Sequence, residues 1–254
     1  MNQTGDMGGK VVIVTGGSQG VGLGIARSFL AAGANVVTCA RTAFDVPPAA
    51  MGEEQLSRCA HVVADVRVDD DIDRVVTAAV ERFGRLDVLV NNAGGQPPAD
   101  IATASPRFIR AIVELNLTAP MVFAQKAYAV MSTQDSGGSI INISSQASMT
   151  GGGGGSLTPY GAAKAGLNHM TRSLAIAWGR TVRVNCVSLG WVETEAMVDL
   201  LLTSEEPRSQ AWLQRIPVGR MGTPEEIGGI CVFLASEPAS YINGTTIWAD
   251  GGGT

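Results

Sequence analysis

The feature that most constrains the fold is an alternation, along the whole chain, of short Val- and Ile-rich runs with segments of helical periodicity. The apolar runs lack the polar alternation of a half-exposed strand, so each predicts a strand that is covered on both faces. Strands of this kind, alternating with helices, form a parallel sheet with helices on both sides. The sequence therefore predicts a doubly wound α/β fold.

Seven strands are predicted, at residues 10–15, 35–40, 61–64, 88–91, 139–143, 183–188 and 245–248. Helices are predicted at residues 21–32, 69–83, 105–131, 160–178 and 224–235. Residues 1–9 are expected to form a flexible tail, and no linker divides residues 1–254 into two domains. We expect one Rossmann-like domain whose ligands bind at the carboxyl ends of the strands.

The composition narrows the class of protein further. A formal net charge of -5 does not suit a protein that must neutralise nucleic-acid phosphates. There is no run of 18 apolar residues and no signal-peptide pattern at the start, so neither a membrane span nor secretion is expected. The cysteines and histidines fit no metal-ligand spacing, and four widely spaced cysteines are expected to be free thiols. A cytoplasmic protein without a metal ion is predicted.

The first predicted strand runs into a glycine-rich turn that opens the first predicted helix. Glycines permit positive φ and a close backbone approach, and a helix N-terminus attracts a pyrophosphate. The turn differs from the G-x-G-x-x-G fingerprint, because Ile25 takes the place of its last glycine. The residues predicted to contact a dinucleotide here are Gly16, Ser18, Gln19, Gly20, Val21 and Gly22.

Further motifs follow in a characteristic order: Asn91-Asn92-Ala93-Gly94, then Asn116, Ser144-Ser145, Tyr160-x-x-x-Lys164, and the segments at residues 216–220 and 250–252. With the Gly-x-x-x-Gly-x-Gly turn, they resemble the classical subfamily of short-chain dehydrogenases/reductases over essentially the whole chain. Two features depart from the family pattern. Leu189-Gly190 stands where Pro-Gly is common, and the interval between Ser145 and Tyr160 is slightly long.

The resemblance implies an oxidoreductase that transfers a hydride between a nicotinamide cofactor and a carbonyl or secondary alcohol. Tyr160 and Lys164 are four residues apart on a predicted helix, so they share one face, and the lysine is expected to lower the tyrosine pKa. In the family this lysine also holds the nicotinamide ribose. The resemblance assigns Ser145 to the substrate oxygen, with Ser144 and Ser148 as alternatives, and Asn116 to a water relay.

Cofactor choice is expected to depend on the end of the second strand. Ala40 stands where NAD-preferring members carry Asp, and the guanidinium of Arg41 suits the 2′-phosphate of NADP. The turn itself carries Gln19 and no second cation, so NADP(H) is favoured and NAD(H) remains the alternative. The resemblance implies further cofactor contacts by Asp65, Val66, Asn92, Ala93, Gly94, Gly190, Val192 and Thr194, besides Tyr160 and Lys164.

Residues 191–217 are expected to bind the small-molecule substrate, and the protein is expected to form a homo-oligomer, a tetramer in the family. The alternatives are an NAD-dependent alcohol dehydrogenase and a catalytically silent dinucleotide-binding scaffold. The chain is too short for the dehydratase and epimerase branch, and the four-residue spacing of Tyr160 and Lys164 argues against enoyl reduction. The sequence does not choose the substrate.

Overall fold

The computed structural model describes residues 5–42, 53–150, 155–195, 197 and 214–253, and these contain one fully parallel sheet. The strand order β3-β2-β1-β4-β5-β6-β7 is that of a doubly wound sheet, which confirms the predicted fold class. The strands are β1 Val11–Thr15, β2 Asn35–Ala40, β3 Cys59–Val63, β4 Val88–Asn91, β5 Gly138–Ser145, β6 Val182–Leu189 and β7 Thr246–Ala249.

Helices cover both faces of the sheet. They are α1 Gly20–Ala31, α2 Glu53–Ser57, α3 Asp69–Phe83, α4 Pro106–Val113, α5 Ala119–Met131, α6 Thr158–Trp178 and α7 Pro224–Ala235. Val11 and Ile13 contribute to the apolar cluster beneath α3, α5 and α6, whereas Val12 and Val14 contribute to the cluster beneath α1 and α7. Successive strand residues face opposite sides, which explains why the strands are apolar without interruption.

The helix predicted over residues 105–131 is interrupted in the structure. A π-helical segment, Glu114–Thr118, separates α4 from α5. Its wider turn includes Asn116, whose side chain is fully buried. A one-residue widening leaves almost no trace in hydrophobic periodicity, so the sequence predicted a continuous helix. The short helix α2 was also not predicted, because it lies in a stretch with no clear periodicity.

The expectation of a flexible tail over residues 1–9 is wrong for residues 5–9. Met7 is only 2% exposed and packs in the cluster beneath α1 and α7. Its N–H also donates to the carbonyl oxygen of Ala32 at 2.8 Å. A single apolar residue among glycines carries no periodic signal, so only the tertiary contact shows the attachment. Residues 1–4 lie outside the described part of the chain.

Cys39, Cys186 and Cys231 are buried, Cys59 is half-buried, and all four are free thiols. Within the described ranges, no helix is long and apolar enough to cross a membrane. In that same part of the chain, no group of three His, Cys, Asp or Glu side chains is placed to hold a metal ion. Of the expected substrate segment, residues 196 and 198–213 lie outside the description.

Candidate active site

A cleft of about 690 Å³ runs along the carboxyl edge of the sheet, where the strands end and the helices begin. This is the edge at which doubly wound sheets bind ligands. The structure brings together on it every residue that the sequence predicted to contact a cofactor: Gly16, Ser18, Gln19, Gly20, Val21, Gly22, Arg41, Asp65, Val66, Asn92, Ala93, Gly94, Tyr160, Lys164, Gly190, Val192 and Thr194.

The middle of the cleft is formed by the turn between β1 and α1. Gly16 and Gly20 have φ values of 65° and 52°, a region that side-chain-bearing residues rarely adopt. A Cβ atom at Gly22 would lie 2.2 Å from the carbonyl oxygen of Gly16, so the helix approaches the turn more closely than any other residue allows. No side chain caps the start of α1. Its N-terminal amides and partial positive charge are therefore available to an anionic ligand.

Thr15 fixes the turn that follows β4. Its Oγ1 accepts hydrogen bonds from the backbone N–H groups of Asn92 and Ala93, each at 2.9 Å. The Asn92 side chain returns a bond from Nδ2 to the carbonyl oxygen of Thr15 at 2.8 Å. Sequence reasoning assigned Thr15 no role beyond the motif. A buried hydroxyl at the end of an apolar strand is the signal that could have identified it.

Asn116 does not line the cleft and lies directly behind it. Its Oδ1 accepts the N–H of Gly95 at 2.8 Å, and its Nδ2 donates to the carbonyl oxygens of Gly95 at 3.0 Å and Ile112 at 2.9 Å. A Cβ atom at Gly94 would lie 2.7 Å from Asn116 Oδ1 and 3.2 Å from Lys164 Nζ. The π-helical segment thus places the Asn116 amide oxygen and the Lys164 ammonium on the same side of Gly94, in the space that a side chain there would fill.

Lys164 is a buried cation at the inner end of the cleft. The residue is 3% exposed, and its Nζ donates to the carbonyl oxygen of Ile143 at 2.8 Å. Burial lowers the pKa of Lys164 to about 8, and the nearby Cys186 thiol opposes this only partly. The described residues provide no carboxylate within ion-pair distance of it. Its charge is therefore available to a bound ligand.

Tyr160 lies in the first turn of α6, and its side chain lines the cleft together with Ser145 at the end of β5. Burial raises the pKa of Tyr160 above its usual range, and the Ser145 side chain offsets only part of that rise. The expected lowering of the tyrosine pKa by Lys164 is wrong for this structure. The ammonium lies 5.7 Å from the ring centroid and donates its hydrogen bond to Ile143, so desolvation is the larger effect.

The three candidate serines have different surroundings. Ser144 donates its hydroxyl to the backbone carbonyl oxygen of Lys164 at 3.3 Å and is 2% exposed. Ser148 accepts a bond from Asn168 Nδ2 at 3.0 Å and does not line the cleft. Ser144 and Ser145 both line the cleft, and of the three serines only Ser145 affects the pKa of Tyr160, which it lowers.

Charged side chains lie at the outer end of the cleft. Arg41 is exposed, and it lowers the pKa of Asp65 less than Arg67 does. Arg67 holds that carboxylate with two hydrogen bonds, Nε to Oδ1 at 2.9 Å and Nη2 to Oδ2 at 2.5 Å. Sequence reasoning missed Arg67, although its place two residues after Asp65 was a usable signal. Other lining residues that were not singled out as cofactor contacts include Thr42, Gly95, Leu115, Ile143, Leu189, Glu195 and Met197.

The residues present fit a nicotinamide dinucleotide. Two guanidinium groups at the outer end, an uncapped helix N-terminus in the middle and a buried ammonium at the inner end match a ligand that carries several phosphates.

Sequence comparison identifies relatives over nearly the whole chain. The family described as Enoyl-(Acyl carrier protein) reductase matches residues 16–254. The chain is 37% identical to L-fucose dehydrogenase of Oryctolagus cuniculus over 248 residues, which are 96% of this chain and 84% of that protein. It is 36% identical to 2-dehydro-3-deoxy-D-gluconate 5-dehydrogenase of Escherichia coli (strain K12), covering 96% of this chain and 95% of the relative.

Comparison with solved structures identifies relatives of the same kind. A crystal structure of a short chain dehydrogenase from Bacillus anthracis aligns with a TM-score of 0.84 and 34% identity, covering 97% of each chain. A short-chain dehydrogenase/reductase from Brucella melitensis aligns with a TM-score of 0.85 and 29% identity, covering 98% of each chain. The chain therefore belongs to the short-chain dehydrogenase/reductase family of nicotinamide-dependent oxidoreductases.

Proposed function

We propose that this protein transfers a hydride between NADP(H) and a carbonyl or secondary alcohol, with Ser145, Tyr160 and Lys164 as its catalytic residues and Asn116 supporting them. One observation carries the proposal. Ser145, Tyr160 and the buried Lys164 line the same end of the cleft, and the Ser145 side chain lies near enough to the Tyr160 hydroxyl group to lower its pKa. A proton donor, a second hydroxyl and a cation thus converge where a substrate oxygen would lie.

The nicotinamide, when bound, supplies or accepts the hydride, so the protein has to handle the proton. The raised pKa of Tyr160 keeps its hydroxyl protonated at neutral pH, ready to donate to a carbonyl oxygen. Ser145 donates to the same oxygen and stabilises the negative charge that develops there. Lys164 is cationic below about pH 8 and stabilises the phenolate once the proton has left.

Asn116 supports the proton path from behind the cleft. Its amide is hydrogen-bonded to the backbone N–H and carbonyl oxygen of Gly95. Its Oδ1 and Lys164 Nζ both lie next to the position that a Cβ atom of Gly94 would take. A carbonyl-type oxygen has two lone pairs, so Oδ1 can accept a bond from a water molecule besides that of Gly95. We propose that this water returns a proton to Tyr160 through Lys164.

Arg41 is the residue that favours NADP(H) in this proposal. It is exposed at the outer end of the cleft, and Ala40 offers no carboxylate to repel a 2′-phosphate. Arg67 adds a second guanidinium there, and its ion pair with Asp65 compensates the charge of that carboxylate. NAD(H) is the alternative, because the glycine-rich turn contributes Gln19 and no cation.

The substrate test is a panel of carbonyl compounds and alcohols with NADPH and NADH, followed by the absorbance of the reduced cofactor. The panel includes L-fucose, 2-dehydro-3-deoxy-D-gluconate and a 3-oxoacyl thioester, because relatives of this chain are named for them. An enoyl thioester is the control for alkene reduction. Turnover of any alcohol or carbonyl supports the enzyme, whereas cofactor binding without turnover of any compound favours the scaffold alternative.

Arg41→Ala tests the cofactor preference. A charge-assisted contact with a phosphate contributes about 1.5–3 kcal/mol, so KM for NADPH should rise roughly 10- to 150-fold while KM for NADH stays nearly constant. The matched control is Arg82→Ala, since Arg82 is exposed near the end of α3 and does not line the cleft. Equal losses with both cofactors in Arg41→Ala would contradict the NADP(H) assignment.

We also propose a cytoplasmic homotetramer. Four free thiols suit a reducing compartment, and exposed apolar side chains on α5 and α6, Met121 at 45% and Ile176 at 80%, suit contact with further copies. Light scattering at micromolar concentration should report four chains, and a monomer would contradict this.

A further inference from the structure

We propose that Gln96 is a positioning residue that holds the first turn of α6, and with it Tyr160, in place for proton transfer. The inference rests on the role of Tyr160 in the proposed function. The Gln96 side chain connects the loop after β4 to the start of α6, so it joins two chain segments that border the inner end of the cleft.

The start of α6 lacks an ordinary N-cap. Leu157 occupies the N-cap position, and its side chain has no oxygen to accept a hydrogen bond. The N–H that an N-cap side chain usually satisfies belongs to the third helical residue, which here is Tyr160. Gln96 Oε1 accepts that N–H at 3.0 Å. A residue 64 positions away thus supplies the missing cap to the residue that carries the hydroxyl.

The Nε2 atom of the Gln96 amide binds the segment that precedes α6. It donates to the carbonyl oxygen of Ser156 at 2.8 Å, and the backbone N–H of Ala99 donates to the same oxygen at 3.1 Å. A backbone N–H can only donate and a carbonyl can only accept. Both contacts therefore require a side chain that accepts at one atom and donates at the other, which an amide does.

Catalysis depends on this attachment because Ser145 and Tyr160 are held by different elements. Ser145 ends β5 and is fixed by the sheet, whereas Tyr160 is in the first turn of a helix, where backbone N–H groups lack helical partners. Loss of the Gln96 bond would let the first turn fray and shift the Tyr160 hydroxyl relative to Ser145. A displacement of about 1 Å can lower a rate by roughly 100-fold.

The first variant is Gln96→Met, which keeps the side-chain length and removes both hydrogen bonds. We expect kcat to fall roughly 10- to 100-fold while Kd for NADPH stays within about twofold, because the middle and outer parts of the cleft are untouched. Hydrogen exchange of the peptide that contains Tyr160 should accelerate. This exchange readout does not depend on any activity.

The matched control is Gln134→Met. Gln134 also bonds backbone groups with its amide, accepting the Leu86 N–H at 2.9 Å and donating to the Leu86 carbonyl oxygen at 2.8 Å. It lies just before β5, at the opposite edge of the sheet from the cleft. We expect a comparable loss of thermal stability, unchanged kcat per folded molecule and unchanged exchange at Tyr160.

The second variant is Gln96→Glu, which makes the contact depend on pH. A carboxylate can accept the Tyr160 N–H but cannot donate to Ser156, whereas a protonated carboxyl group does both. The ratio of variant to wild-type kcat should therefore rise as pH falls from 7 towards 5, and Gln96→Met should show no such recovery. The ratio of Gln96→Glu to wild type by itself decides the matter even if Gln96→Met does not fold.

The proposal is overturned if Gln96→Met keeps kcat within about twofold of wild type, if Gln134→Met loses as much kcat, or if Gln96→Glu shows no recovery at low pH. Failure of the proposed function is a different result, in which the wild-type protein turns over no carbonyl or alcohol. The exchange rate at Tyr160 then still decides whether Gln96 caps the helix.

Discussion

Two buried charged side chains at opposite edges of the sheet, Asp87 and Lys164, differ in how many hydrogen-bond partners they have. At the amino edge, the Asp87 side chain is 4% exposed and accepts bonds from Arg85 Nε at 2.7 Å, Arg85 Nη2 at 2.6 Å, Lys10 Nζ at 3.1 Å and the Val11 N–H at 2.9 Å. At the carboxyl edge, Lys164 is 3% exposed and donates to a single carbonyl oxygen, that of Ile143.

The two pKa values show the consequence. Burial alone would raise the pKa of Asp87, but the bonds from Arg85, Val11 and Lys10 outweigh it and hold the pKa below its usual range. Burial lowers the pKa of Lys164 to about 8, and within the described part of the chain no carboxylate lies at ion-pair distance to oppose this. The fold thus stabilises one charge for structure and leaves the other uncompensated, a pattern typical of a group reserved for a ligand or a reaction.

The largest effect is expected at the carboxyl edge. Tyr160→Phe removes only the hydroxyl group, so kcat should fall by about 10²- to 10⁴-fold while Kd for NADPH stays within about twofold. Steady-state kinetics and a cofactor titration measure both. Tyr241→Phe is the control, because Tyr241 is fully exposed and outside the cleft. A Tyr160→Phe protein that keeps more than about half of the wild-type kcat would exclude Tyr160 as the acid.

The second effect is expected at the amino edge and concerns stability. Asp87→Asn should lower the free energy of unfolding by about 2–3 kcal/mol, less than for a fully buried pair because Lys10 and Arg85 remain 40% and 39% exposed. Urea unfolding measures the loss, and kcat per folded molecule should be unchanged. A fall in kcat without a fall in stability would remove the distinction between the two edges.

The same variant predicts a pH dependence. The folded-state pKa of Asp87 is lower than the unfolded value, so its contribution is present above about pH 4 and is lost as pH falls through the folded pKa. The stability difference between wild type and Asp87→Asn should therefore be constant near neutral pH and shrink in acid. A difference that stays constant down to pH 2 would show that the carboxylate charge is not responsible.

The smallest effect has the opposite sign. Lys164→Met replaces an uncompensated buried cation with an apolar chain of similar length, so the free energy of unfolding at pH 7 should rise by about 1–2 kcal/mol while kcat falls. The folded pKa of about 8 lies below 10.5, the ordinary value for a lysine, so the cost of the buried charge in the wild type is complete below pH 8. It is relieved as pH rises towards 10.5.

The gain from Lys164→Met should accordingly disappear in alkaline solution. Thermal unfolding from pH 7 to pH 10 measures this trend. Lys126→Met is the control, because Lys126 forms an exposed ion pair with Asp73 and carries no buried charge. Destabilisation by Lys164→Met at pH 7 would mean that the ammonium supports the fold and that the contrast with Asp87 is incorrect.

The sequence by itself determined the layer architecture and the candidate site residues. Strands such as Val11–Thr15 are apolar on both faces, and this local pattern is sufficient to predict a parallel sheet. The glycine-rich turn at Gly16 was found from residue type, and Tyr160 and Lys164 from a motif that resembles the family's, because glycine turns and a four-residue interval are local features. Features that depend only on neighbouring residues in the chain can be predicted from the sequence.

Only the tertiary structure decided the features that depend on contacts between distant residues. Burial of Met7, the π-helical turn that places Asn116 and the cap that Gln96 supplies to Tyr160 all join segments that no periodicity connects. The raised pKa of Tyr160 is of the same kind, because desolvation depends on everything packed around the hydroxyl group and not on the residue four positions away.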